Sequence, residues 1–283
     1  DSGKYTFVLN IPPDFQRDVL AGRSPEIQLN VDATRMSQAF SGSSYVQQIV
    51  GNEVQGFVGN SSASASPVQL AVRNRFNPNL ESFWFGSLME IINNVTMLSI
   101  ILTGAALIRE REHGTIEHLL VMPVTPGEIM MAKVWAMGLV VLCAATFSLL
   151  VVVRGVLAVP IEGSIPLFIA GAGLHLFATT SMGIFLATLA RSMPQFGLLL
   201  LLELLPLQLL SGGSTPRESM PEFVQNVMLL APTTHFVQLG QAILYRGAGI
   251  EVVWKSFLIL FLIGSVFFAF SLNRFRKTIT QMA

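Results

Sequence analysis

The chain has 283 residues, 52% of them apolar and only 12% charged, and its mean hydropathy is +0.59. Soluble domains carry about a quarter charged residues, so the composition excludes an ordinary soluble enzyme and indicates an integral membrane protein. The 17 Lys and Arg balance the 17 Asp and Glu. That leaves no basic field for nucleic acid, and the single cysteine, Cys143, lies in an apolar run with no disulfide or thiolate metal partner.

Asp1-Ser2-Gly3-Lys4 opens the chain without an initiator Met or a signal peptide, and the expectation is that a further segment precedes it. Residues 1–80 read as a small extracytoplasmic α/β domain, incomplete at its N-terminus. Tyr5–Ile11 forms a strand stopped by Pro12-Pro13, Asp14–Ala21 a short helix closed by Gly22, and Glu26–Val31 alternates as a second strand. Asp32-Ala33-Thr34 offers caps for a helix through Ser44–Gln55, and Ser61–Pro67 is a Ser/Ala-rich hinge. In the third strand Val68, Leu70 and Val72 oppose Gln69, Arg73 and Arg75.

After Asn77-Pro78-Asn79 the chain becomes a transmembrane domain, 81–283, with spans at about 85–108, 134–153, 166–190, 196–210 and 252–272. Arg109, Arg111, Lys133, Arg191, Arg274, Arg276 and Lys277 collect on one side, Arg154, Arg217, Arg246 and Lys255 on the other. The richer side is expected to be cytoplasmic, which turns the α/β domain and the segment 211–250 outward. Phe83, Trp84, Phe85 and Trp254 fit interfacial anchors.

The segment 109–133 is a charged island between two spans. Arg109-Glu110-Arg111-Glu112 alternates in sign, and Thr115 can cap a short helix that places Ile116, Leu119 and Leu120 on one face and ends at Pro123. Thr125-Pro126-Gly127-Glu128 then supplies Thr at the N-cap, Pro at the first helical position and Glu at N3, a capping box for the helix through Lys133. Two short elements braced at the membrane surface suit a push from a cytosolic partner; an ordinary solvated loop is the alternative.

Pro216, Pro221 and Pro232 cut the outer segment 211–250 into short pieces, with Phe223, Val227, Leu229 and Leu230 free to face lipid or protein. It reads either as broken helices lining a cavity or as an interfacial hairpin. Glu203, alone in a leucine run, is expected to face a water-filled path as a cation-binding or gating group, or else to bond a neighbouring helix. Glu90, Asn93 and Asn94 can line the same path, and His175 reads as a helix–helix hydrogen bonder before a proton relay. His113 and His118, five apart, fall about 140 degrees apart on a helix, and no metal site or catalytic constellation is found.

At these residues the chain resembles the permease subunits of the ABC-2 class of ATP-binding cassette transporters. The resemblance rests on Arg109-Glu110-Arg111-Glu112, Gly114-Thr115, Glu117, Leu119-Leu120, Pro123, Glu128 and Lys133. Leu29-Asn30-Val31-Asp32, Pro160 with Gly163-Ser164, Ser211-Gly212 with Met220-Pro221, Pro232-Thr233-Thr234-His235-Phe236 and Arg274-Phe275-Arg276-Lys277 extend it along the whole chain.

The resemblance implies an ABC-2, type V exporter-like helical bundle with five visible spans of six, the first preceding the outer domain. It implies 109–133 as the loop that couples to an ABC ATPase, and an outer gate in 211–250 carried by Ser211, Gly212, Met220, Pro221, Pro232 and His235. Implied partners are the ATPase, a second permease copy, a periplasmic adaptor protein and the bilayer, with ATP and Mg bound on the ATPase. No G-x-x-x-x-G-K-[ST] occurs in the chain. The expected role is therefore a multi-pass inner-membrane transport subunit, with no cofactor of its own, that exports amphiphilic or drug-like compounds. A receptor signalling from the α/β domain or an ion-coupled carrier are the competing classes; the carrier would show inverted repeats and several buried charges.

Overall fold

The computed structural model describes residues 5–21, 23, 25–32, 36–58, 69–75, 82–114, 123–215 and 217–280. The chain divides into two compact units, Asp1–Phe85 and Gly86–Ala283. Thr115, Glu117 and Leu120, the proposed helix they belong to, the caps at Ala33-Thr34, the hinge Ser61–Pro67 and His118 lie outside the described residues.

The first unit is built on a three-stranded sheet of β1 (Phe7–Asn10), β2 (Glu26–Asp32) and β3 (Gln69–Arg75), with β2 central. β1 runs antiparallel to β2, pairing Phe7 with Val31, and β3 runs parallel to it, pairing Val72 with Leu29. A parallel neighbour requires a crossover, and α2 (Met36–Val58) supplies it, while α1 (Phe15–Leu20) follows β1. Ile27, Leu29 and Val31 recur at every second position and are all buried, the period of a strand with one apolar face. Phe7, Val46 and Val72 close over Leu29 and Val31.

The second unit is helical. Its long elements are α3 (Ser82–Glu112), α4 (Pro126–Phe147, continued by π-helical turns to Val156), α5 (Ile165–Leu189), α6 (Met193–Leu210) and α9 (Ile250–Thr280). All five are long and apolar enough to cross a membrane. Between α6 and α9 come α7 (Glu222–Met228) and α8 (Pro232–Gly240, continued by π-helical turns to Tyr245), bent by 88° at their junction.

Local chemistry fixes the starts of these helices. Thr125 caps α4: its hydroxyl accepts from the Glu128 amide while the Glu128 carboxylate accepts from the Thr125 amide, with Pro126 at the first helical position. Ser164 caps α5 by accepting from the Leu167 amide, followed by Pro166. α3 stops at Gly114, whose φ of +70° ends a right-handed helix cheaply.

α5 is the most enclosed of the spans, with 67% of its apolar window buried against 17% for α6 and for α9. Its small residues permit this. A Cβ placed on Gly183 would stand 2.6 Å from the Ile100 carbonyl oxygen, so α3 and α5 meet backbone to backbone there. Trp135, Leu139, Val140 and Phe147 of α4 stay exposed, as does Cys143, so this helix turns an apolar face out of the bundle.

Candidate functional site

The four residues Arg109-Glu110-Arg111-Glu112 end α3, and three of them reach to other helices. Glu110 forms a salt bridge with Lys133 of α4. Arg111 donates through Nη1 to the Ala187 carbonyl at 3.3 Å and through Nη2 to the Ala190 carbonyl at 2.7 Å, satisfying acceptors that the end of α5 leaves open. Glu112 accepts from the Met193 amide at 3.1 Å, the first orphan donor of α6. Its negative charge there also suits the positive end of that helix.

One tetrapeptide therefore ties the ends of α3, α4, α5 and α6 together. Arg109 is exposed, and its carbonyl accepts from His113 Nδ1 at 2.8 Å. Sequence alone places Glu110, Arg111, Glu112 and Lys133 in a loop that meets a partner; it holds no sign that Arg111 and Glu112 are engaged inside the chain. Their partners are main-chain groups at 187, 190 and 193, which no side-chain pattern reveals. Leu107, Ile108, Ile129, Met130, Ala187, Ala190 and Phe275 form the apolar floor beneath this hub. Pro123 and Glu128 are exposed beside it.

Further along α3 a ladder of hydroxyls crosses to α5. Thr96 Oγ1 and His175 Nε2 are 2.8 Å apart, and Ser99 donates to Thr179 Oγ1 at 2.7 Å. All four residues are fully buried. His175 also stacks on Phe236 of α8, with ring centroids 4.3 Å apart and planes 11° off parallel. His175 is thus a helix–helix hydrogen bonder, and the signal for its hydroxyl partners is the recurrence of Thr96, Ser99 and Thr103 at helical spacing opposite His175 and Thr179.

The N-terminal half of α3 borders a groove of about 420 Å³ shared with α4. Ser87, Glu90 and Asn94 supply its polar edge from α3 and Ser148 from α4, while Ile91, Val95, Val141 and Val153 contribute to its apolar walls. Asn94 Nδ2 donates to Glu90 Oε1 at 3.0 Å. Asn93 is not part of this lining, because one helical step turns it away from the face that carries 87, 90, 91 and 94. Glu203 is not part of it either. It sits half-buried on α6, with one enclosed carboxylate oxygen that has no hydrogen-bond partner among the described residues.

Of the prolines in 211–250, Pro221 and Pro232 stand at helix starts, and Pro216 lies outside the described residues. Pro221 precedes α7 and Pro232 opens α8, and His235 Nε2 lies 2.8 Å from the Leu229 carbonyl, fastening the elbow between them. Met220 is buried, and its carbonyl accepts from Gln225 Nε2 at 2.8 Å. Arg217 donates to the Gln225 carbonyl at 3.2 Å. Ser211 is buried, and Gly212 turns the chain with φ of +95°. Phe223, Val227, Leu229 and Leu230 are exposed.

A family model described as ABC-2 family transporter protein matches residues 1–273. The inner membrane transport permease YhhJ of Escherichia coli (strain K12) is 67% identical, covering 100% of this chain and 76% of its own. The probable multidrug ABC transporter permease YbhR of the same strain is 30% identical over 90% of this chain and 69% of its own, and YbhS is 28% identical over 87% and 66%. With the apolar helices described above, these matches show that the chain belongs to the ABC-2 family of transporter proteins, as a multi-pass permease of the inner membrane.

Proposed function

We propose that this permease is the membrane subunit of an ATP-driven exporter and that the helix-end hub at 109–112 receives the movement of an ABC ATPase. The observation that carries this reading is the set of contacts from one tetrapeptide to α4, α5 and α6. A force applied to 113–125, the segment joining α3 to α4, reaches both helices at once through the Glu110–Lys133 pair. It reaches the α5–α6 turn through Arg111 and Glu112. Packed helix ends joined by charged bonds move as a body, which is how a local push becomes a rearrangement of spans.

ATP and Mg are bound by the partner, in keeping with the missing phosphate-binding loop. The ABC-2 family membership supports an ABC ATPase as that partner. A second permease copy completes the path, and the α/β unit faces the periplasm, where an adaptor protein receives cargo. The names of two relatives, probable multidrug permeases, support amphiphilic or drug-like compounds as that cargo. Within 211–250 the elbow between α7 and α8 serves as the outer gate, with Ser211, Gly212, Met220, Pro221, Pro232 and His235 shaping it.

The test is co-purification of a P-loop ATPase with the detergent-solubilised full-length protein. Wild type is expected to retain the ATPase, and the loop substitution Glu117→Arg to release it. Undiminished binding by that variant counts against 109–133 as the docking site.

A further inference from the structure

The groove between α3 and α4 has a charge imbalance. Glu90 is the sole ionisable side chain on α3 between Ser82 and Ile108. It stands about 9 Å along the helix from Trp84, where the apolar span begins, and its side chain is exposed. Asn94 offers Oε1 one amide donor at 3.0 Å. Among the described residues no Lys, Arg or His lines the groove, and the remaining polar lining is the hydroxyls of Ser87 and Ser148. The carboxylate faces the groove with no cationic side chain in that lining, above walls that are almost entirely aliphatic.

Size, polarity and charge together select a ligand class. About 420 Å³ lies in the range that holds drug-sized molecules. The aliphatic walls suit alkyl or aromatic bulk, and the single carboxylate suits one positive charge. A zwitterionic phospholipid would bring a phosphate into a groove whose described lining has no basic group to hold it, so a lipid headgroup fits less well than a simple cation. A second groove of similar volume, lined by Trp135, Gly138, Leu142, Gly173, Phe177 and Phe261 among others, carries no ionisable side chain among its described lining and lacks this selectivity.

We propose that the α3–α4 groove binds a lipophilic monocation, an amine or onium with hydrophobic bulk, using Glu90 as counterion and Asn94 to orient the carboxylate. This rests on the chain acting as a permease and names the substrate class for its outer half. Glu90 is the residue that discriminates charge, and Ala144, also in the lining, is where added bulk closes the groove.

The experiment measures equilibrium binding of tetraphenylphosphonium to full-length protein in nanodiscs of zwitterionic lipid. Glu90→Gln keeps the size and the Asn94 contact and is expected to weaken binding about tenfold or more, the scale of one charge-assisted contact. Ala144→Trp, which fills the groove, is expected to abolish it. Melting profiles confirm that each variant is folded. Wild-type affinity in Glu90→Gln overturns the proposal, and so does displacement of the probe by added phosphatidylethanolamine. Glu90-dependent binding without ATP-driven movement of the probe keeps the site and overturns the exporter reading. ATP-driven export of the probe that ignores Glu90→Gln does the reverse.

Discussion

Glu110, near the end of α3, holds the ammonium of Lys133 on α4, 23 residues later in the chain, with side-chain exposures of 31% and 12%. A pair this enclosed costs more to break than to replace, because a lone charge remains desolvated. Lys133→Met and Glu110→Gln are each expected to lower stability by about 1–3 kcal/mol. The double variant should lose less than their sum, with a coupling of about 1–3 kcal/mol. Thermal unfolding in detergent micelles across the four proteins measures this.

Arg111 uses two nitrogens on two carbonyls of the α5 terminus. Lysine lacks the planar fork that reaches both carbonyls and alanine has no donor, so loss of function should rank Arg111→Ala above Arg111→Lys. Hydrogen exchange should show faster opening of the last turn of α5 in both, since that turn loses the partners of its free carbonyls.

Gly183 faces the Ile100 backbone, and a methyl group there would meet the carbonyl oxygen at 2.6 Å. Gly183→Ala must push α3 from α5 and is expected to cost about 1–3 kcal/mol. Gly173, on the same helix, has nothing within 4 Å of the point where an added methyl would stand, so Gly173→Ala should leave the melting temperature unchanged or raise it. Equal destabilisation by both substitutions would remove the close approach as the cause.

Thr96 and His175 share one buried hydrogen bond, 2.8 Å long. Thr96→Val keeps the shape and deletes the hydroxyl, with an expected cost of about 0.6–1.7 kcal/mol, the range of such bonds within membranes. Unfolding of the variant in bicelles checks the figure.

Much of the helical framework is legible because its signals are local. Thr125-Pro126-Gly127-Glu128 names its own capping box, and the apolar runs mark five helices long enough to cross a membrane. The strands are visible in the alternation of Ile27, Leu29 and Val31. What sequence does not carry are contacts whose partners are backbone atoms, such as Arg111 with the carbonyls of 187 and 190, or Glu112 with the amide of 193. The groove is half legible. Glu90 and Asn94 stand out as polar residues in an apolar span, but the α4 wall opposite them depends on helix packing that periodicity does not encode. Asn93 groups with them by proximity in sequence, although a step of one residue turns a helical side chain by about 100 degrees.

The 109–112 hub is proposed to carry the ATPase stroke to the spans. ATP-driven uptake of cargo into inverted membrane vesicles, normalised to the amount of co-purified ATPase, tests it most directly in Glu110→Lys, Lys133→Glu and the exchanged pair. The hub predicts that each single variant keeps its ATPase while transport falls about tenfold or more, and that the exchanged pair recovers much of it. Full transport in folded single variants would contradict the hub as the coupling element.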